Sequence, residues 1–254
     1  MSFLRIDSIS KSFGGVVAVD GFSMEQKTNE IVSIIGPNGA GKTTIFNLIT
    51  AVYEVDSGSI HFLDQDITDL PGHRRAQYGI SRTFQNIRLF NSLSVMDNLK
   101  VAYDQKLKYF VWEESLHLPR VAREEKRSSE LARSHLAELG LEQYEHYKPG
   151  NLAYGLQRRV ELARALITNP KLLLLDEPAA GLNPRETREL IDVINKIHEQ
   201  WEIGIILVEH HMEVVMNISH TIHVLDFGKK IAEGTPNEIK QNPDVLKAYL
   251  GDEV

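Results

Sequence analysis

Between Ile31 and Thr44 the chain reads Ile-Val-Ser-Ile-Ile-Gly-Pro-Asn-Gly-Ala-Gly-Lys-Thr-Thr, an apolar run, a glycine-rich turn, and a lysine followed by two hydroxyls. This order suits a polyphosphate. An apolar strand delivers the backbone to Gly36, and Pro37, Asn38, Gly39, Ala40 and Gly41 make a turn tight enough for successive N–H groups to face one point. A helix expected over about Gly41 to Thr50 adds its unpaired first N–H groups and the positive end of its dipole. Lys42 then reaches the β- and γ-phosphates, and Thr43, with Thr44 beside it, offers a hydroxyl to Mg²⁺. A second reactive edge follows at Leu172-Leu173-Leu174-Leu175-Asp176-Glu177, a fully apolar strand ending in two carboxylates. In an open parallel sheet that end is where ligands sit, so Asp176 is expected to help hold Mg²⁺ and Glu177 to orient and deprotonate an attacking water. The strand Gly204 to Val208 likewise ends in polar groups, Glu209-His210-His211.

The elements that must position these residues are legible from pattern. Leu4, Ile6 and Ile9 alternate with polar residues, and Phe3 to Met24 reads as strands broken at Gly14-Gly15 and Gly21, a small antiparallel sheet joined by a hairpin over Ser57 to Asp66. Phe13, before the glycine pair, either stacks on a purine ring or fills the core of that sheet. Pro71 opens a short helix ending near Gly79; Ile80 to Gln85 is a strand running into an irregular apolar segment, Asn86 to Leu93; Ser94 and Asp97 begin another helix. Residues 103 to 150 have the texture of a helical lobe, with Tyr109-Phe110-Val111-Trp112 read as core and a solvated charged face that carries Glu124 with Arg127 and Glu130 with Arg133. Further helices are expected over Gly155 to Thr168 and Pro184 to Gln200.

Composition narrows the function classes. The 254 residues allow one large α/β domain or a core with a smaller lobe, and the net charge of −7 argues against broad attraction to nucleic acid or anionic lipid. There is no cysteine, hence no disulfide or thiolate metal site. The start lacks the apolar core of a signal peptide, and no run of about 18 apolar residues is present to span a bilayer, so any work at a membrane requires other subunits to hold the chain there.

Taken together, the motifs resemble the ATP-binding subunits of ABC transporters, over almost the whole chain. On that resemblance Phe13 is the adenine-stacking aromatic, Gly36 to Thr43 the Walker A motif, Gln85 the Q-loop glutamine that also meets Mg²⁺, and Leu172 to Asp176 with Glu177 the Walker B motif and base. Leu152 to Gln157 is the signature region, Ala179 to Pro184 the D-loop and His210 the switch histidine. The signature residues Ala153, Tyr154, Gly155, Leu156 and Gln157 would face the ATP of a partner subunit. The implied fold is an α/β P-loop NTPase: a catalytic core with its antiparallel β subdomain over roughly 1–90 and 165–254, and a helical signature subdomain over 91–164.

Two departures stand out. The usual Leu-Ser-Gly-Gly-Gln is here Leu152-Ala153-Tyr154-Gly155-Leu156, one or two hydrogen bonds fewer, on the order of 1–3 kcal/mol. Asn183 replaces the D-loop aspartate, removing a charge while keeping hydrogen bonding. Within the family, Phe13 to Val19, Arg82 to Phe90, Asn151 to Gly155, Ala179 to Pro184 and the ending Asn242 to Gly251 look most like the LivG-type subunit of bacterial branched-chain amino-acid importers. That likeness implies ATP and Mg²⁺ as ligands, two membrane permeases, a second related ATPase or a copy of itself, an extracytoplasmic binding protein, and a peripheral place on the cytoplasmic face of the cell membrane. Urea and short-chain amide importers use similar subunits. A non-transport ATPase of translation or DNA repair is the rival class, opposed by the single cassette and the lack of basic excess. A regulatory subunit with little turnover is prompted by Ala153, Leu156 and Asn183 and opposed by Glu177 and His210.

Overall fold

Every residue of Ile31–Ile35, Leu172–Asp176 and Gly204–Val208 is buried, which a strand achieves only inside a sheet covered on both faces. The computed structural model describes residues 3–103 and 119–250. Two compact units emerge, one drawn from the chain up to Arg82 and from Lys171 onward, the other spanning Thr83–Pro170.

In the first unit, β1 (Leu4–Phe13), β2 (Val16–Gln26), β4 (Ser57–Phe62) and β5 (Gln65–Asp66) form an antiparallel sheet in the order β2-β1-β4-β5. Gly21 does not break β2: with φ 63° it sits within the strand, where the β1–β2 register shifts. The second sheet contains β3 (Ile31–Ile35), β6 (Ile80–Arg82), β7 (Leu172–Asp176), β8 (Gly204–Val208), β9 (Thr221–Asp226) and β10 (Lys229–Gly234), ordered β10-β9-β3-β8-β7-β6. All its pairings are parallel except that of the edge strand β10 with β9. Register sets Ile34 of β3 and Asp176 of β7 both opposite Val208 of β8, so the C-terminal ends of the three central strands meet at one edge.

Alternation along these strands divides the core. Val32, Ile34, Leu172, Leu174, Ile206 and Val208 pack with Phe46 and Ile49 of α1 (Lys42–Ile49) and with Leu4, Ile6, Phe22 and Phe62 of the antiparallel sheet. On the other face Ile35, Ile222 and Val224 meet Val215, Ile239 and Val245 of the C-terminal helices. His223 of β9 is fully buried, 3.4 Å from Glu233 and edge-on to Phe22 at 6.1 Å.

The second unit is helical: α3 (Val95–Tyr103), α4 (Pro119–Glu138) and α5 (Tyr154–Leu166), following α2 (Gly72–Tyr78) of the first. Ser94 caps α3 by accepting the Asp97 N–H at 3.0 Å. On α4 the observed pairs are Lys126 with Glu130 at 3.8 Å and Arg133 with Glu145 at 3.1 Å; Arg133 reaches off its own helix instead of back to Glu130. The aromatic run Tyr109 to Trp112 lies outside the described residues. Among the described residues no helix is long and apolar enough to cross a membrane.

Candidate active site

The turn after β3 demands glycine at two positions. A Cβ at Gly36 would stand 2.1 Å from the Leu225 carbonyl oxygen, and one at Gly41, where φ is 101°, would stand 2.4 Å from the Ala18 carbonyl oxygen. Gly41 is the N-cap of α1 and supplies no capping side chain, leaving the first N–H groups for an anion. Lys42 is buried, its Nζ donating to the carbonyls of Gly36 and Pro37 at 2.8 Å each, so the ammonium ties the loop upon itself. Burial lowers its pKa, an effect opposed by the nearby charges of Glu177 and Asp176. Asn38, Gly39 and Thr43 are exposed at the mouth, Thr44 is half-buried, and Ala40 is buried beneath the turn.

At the end of β7, Asp176 is buried and its Oδ2 accepts from Arg82 at 2.6 Å. Arg82 is itself fixed by Asn47 at 2.7 Å and by the Phe46 ring. Asp176 Oδ1 is buried without a hydrogen-bond partner, an arrangement a carboxylate tolerates when a cation or its water completes it. With the Thr43 hydroxyl this is a set of hard oxygen donors, which fits Mg²⁺. Glu177 prolongs the sheet by donating its N–H to Val208 at 2.8 Å, but its φ of 46° is left-handed, a conformation a non-glycine residue adopts at a cost of about 1 kcal/mol. That turn brings the Glu177 Oε2 to 3.7 Å from His210 Nδ1. Glu209, fully buried, holds the same region together: its carboxylate accepts from the N–H groups of Ala179 at 2.8 Å, His210 at 2.8 Å and His211 at 3.0 Å.

Lys42, Asp176, Glu177 and His210 therefore share one sheet edge. Phe13 is not core: it is 40% exposed at the end of β1 and touches Tyr53 edge-on at 4.9 Å, so the core-filling alternative is excluded because the ring projects beyond the apolar cluster. Asn183 is the N-cap of α6 (Pro184–Trp201), its side chain accepting from the N–H groups of Arg185 and Glu186 while Glu186 accepts from the Asn183 N–H, each at 3.0 Å.

Within the second unit, Gln85 is exposed and its backbone is gripped by α5. Arg158, buried, donates to the carbonyls of Phe84 at 3.0 Å and Gln85 at 2.5 Å, to the Tyr154 hydroxyl at 3.0 Å, and to Glu161 at 3.3 Å. Glu161, also buried, accepts the Arg88 N–H at 3.4 Å, and Arg164 donates to the Arg88 carbonyl. Helix α5 starts at Tyr154, one residue earlier than its pattern suggests, and Ala153 occupies the N-cap without a side chain able to cap. Gly155 and Leu156 lie in the first turn, half-buried, while Gln157 turns its amide back to the Leu152 carbonyl at 2.9 Å, closing the loop that precedes the helix. Sequence alone gives no role to Arg82, Glu209, Arg158 or Glu161, whose signals are two charged residues at strand ends and two that fall among the buried residues of a helix.

An uncapped helix start behind a glycine cradle, facing a lysine and two carboxylates at the C-terminal edge of a parallel sheet, defines a P-loop nucleoside-triphosphate-binding fold. The chain belongs to the ABC transporter ATP-binding family. The family model described as ABC transporter matches residues 19–180, and one described as Branched-chain amino acid ATP-binding cassette transporter matches residues 229–254. It is 44% identical to the high-affinity branched-chain amino acid transport ATP-binding protein LivG of Salmonella typhimurium, covering 98% of both chains, and 43% identical to BraF of Pseudomonas aeruginosa, again covering 98% of both. Among solved structures it resembles an ATP-binding cassette of an ABC transporter in its ADP conformation, with a TM-score of 0.86 and 31% identity over 99% of this chain and 100% of that one.

Proposed function

We propose that this chain is the Mg²⁺-dependent ATPase subunit of a membrane importer of branched-chain amino acids. The observation that carries the reading is the convergence of Lys42, Asp176, Glu177 and His210 on one sheet edge, in a chain alike along its length to transport ATP-binding proteins of that substrate class. Phe13, with its exposed ring, stacks on the adenine. The backbone N–H groups of Gly36 to Thr44 cradle the phosphates, and Lys42 exchanges its bonds to its own loop for the β- and γ-phosphates. Asp176 and the Thr43 hydroxyl would hold Mg²⁺, whose charge would offset that of the phosphate oxygens. Glu177 orients a water and takes its proton as the water attacks the γ-phosphorus, and His210, in reach of Glu177, senses the γ-phosphate.

In this reading two such subunits, identical or a related pair, clamp two ATP molecules, each lying between the cradle of one chain and the signature residues 153–157 of the other. ATP favours the closed dimer through its higher affinity for that state, and hydrolysis with phosphate loss lets it reopen. The chain attaches peripherally, at the cytoplasmic face, to two permease subunits that receive solute from an extracytoplasmic binding protein. The test is ATP hydrolysis by the purified chain, alone and with its permeases, against Glu177→Gln. Turnover by the native chain, and a variant that binds ATP yet stalls as a dimer, are expected. A variant that hydrolyses at the native rate would remove Glu177 from the role of base.

A further inference from the structure

The end of β8 places two consecutive imidazoles beside two carboxylates, and of these His211 and Glu209 have no part in the proposed hydrolysis. His210 Nδ1 lies 3.7 Å from Glu177 Oε2 and 3.9 Å from Glu209 Oε2. A ligand atom of each of Glu209, His210 and His211 falls within 4.8 Å of the others, and the two imidazole rings lie 4.5 Å apart, tilted by 37°. Nitrogen and oxygen donors at about 2.0–2.1 Å from a tetrahedral ion stand roughly 3.3–3.4 Å from one another. The donors at the end of β8 are thus only a few tenths of an ångström wider, along the His210 distances, than a bound ion would draw them.

The rigidity of the site is unequal in a useful way. Glu209 is fixed by its three backbone N–H partners, whereas His210 is half-exposed and His211 partly so, free to swing inward from the solvent side. Two imidazoles with carboxylates select a borderline ion of the Zn²⁺ type over Mg²⁺, which prefers oxygen throughout. We propose that Glu209, His210 and His211, with Glu177 as fourth ligand, form an inhibitory Zn²⁺ site. Bound there, Zn²⁺ would occupy the carboxylate of Glu177 and the Nδ1 of His210 together, so one ion would silence two groups.

The binding half stands on the side chains alone; the inhibitory half rests on the ATPase reading. The test is titration of the nucleotide-free chain with Zn²⁺ against a chromophoric chelator, followed by Mg²⁺-ATPase assays with and without Zn²⁺. The native chain is expected to bind one Zn²⁺ and to lose turnover as the ion is added. His211→Ala is expected to bind it about tenfold more weakly, to hydrolyse ATP at the native rate without zinc, and to need about tenfold more zinc for the same loss of turnover. His211→Gln repeats the comparison should the alanine variant fold poorly. Native protein without saturable one-to-one binding, or equal binding by the His211 variants, overturns the site. Tight binding that leaves turnover intact overturns Glu177 as a ligand. Absence of ATPase activity in every sample would refute the proposed function, while the chelator titration would still decide the metal site.

Discussion

Replacing Arg158 by glutamine tests whether the segment at Phe84 and Gln85 and helix α5 are held as one piece. The Arg158 side chain is 4% exposed and that of its partner Glu161 3%, and the same guanidinium serves the carbonyls of Phe84 and Gln85. Arg158→Gln strands a buried carboxylate, a change that destabilises by about 3–5 kcal/mol. The charge of Arg164 also reaches Glu161, which puts the expectation at the lower end, about 3 kcal/mol. The loss must depend on pH. Burial already raises the Glu161 pKa, with Arg158 the largest opposing influence, so removing Arg158 raises it further. A carboxyl whose folded pKa lies above its unfolded value carries no penalty while protonated in both states, and loses stability as pH rises through the folded pKa. The deficit of Arg158→Gln is therefore smaller at pH 5 than at pH 8. Adding Glu161→Gln removes the stranded charge and should recover on the order of 2 kcal/mol. Urea unfolding followed by circular dichroism at the two pH values, on the native chain, both single variants and the double variant, measures all of this. Equal deficits at both pH values together with additivity within about 0.5 kcal/mol would refute the buried-pair argument.

Three further outcomes follow from other parts of the molecule. Burial depresses the His223 pKa to about 4, so its contribution is intact above the unfolded value near 6.5 and is lost as pH falls towards 4, at up to about 1.4 kcal/mol per pH unit; a pH series of melting temperatures should show His223→Phe with a shallower acid limb. Ala153→Ser supplies the missing cap of the signature helix and should stabilise by about 1 kcal/mol, read as a raised urea midpoint; no shift would mean the serine hydroxyl does not reach the first-turn N–H groups. Phe90 is half-exposed on the segment after Gln85 and fits a contact with a permease loop, so Leu89→Ala with Phe90→Ala should leave ATP binding unchanged and abolish solute uptake in the reconstituted complex; normal uptake would exclude the contact.

Much of the site was legible because its chemistry is local. Phosphate binding needs glycines, a lysine and a hydroxyl within a few residues of one strand, and Asp176 with Glu177 announce themselves by ending a run of leucines. What stayed hidden depends on partners distant in sequence. Arg82 fixes Asp176 across 94 positions, and Arg158 reaches the Phe84 carbonyl across 74, neither of which a spacing rule encodes. From its local sequence Phe13 favours a core position, only the family resemblance turns it into a stacking platform, and the exposure of its ring is what the fold adds. The order β10-β9-β3-β8-β7-β6 was unreadable for a similar reason, because the pattern of an apolar parallel strand does not name its neighbours.

The left-handed backbone at Glu177 bears on how this chain would change under selection. Glycine would relieve the conformation and asparagine would tolerate it better, so a library screened for heat resistance alone should enrich both at position 177. The survivors would be tougher proteins without the carboxylate that the proposed hydrolysis uses as its base. On the proposed mechanism, glutamate at position 177 sets chemistry against the durability of the fold.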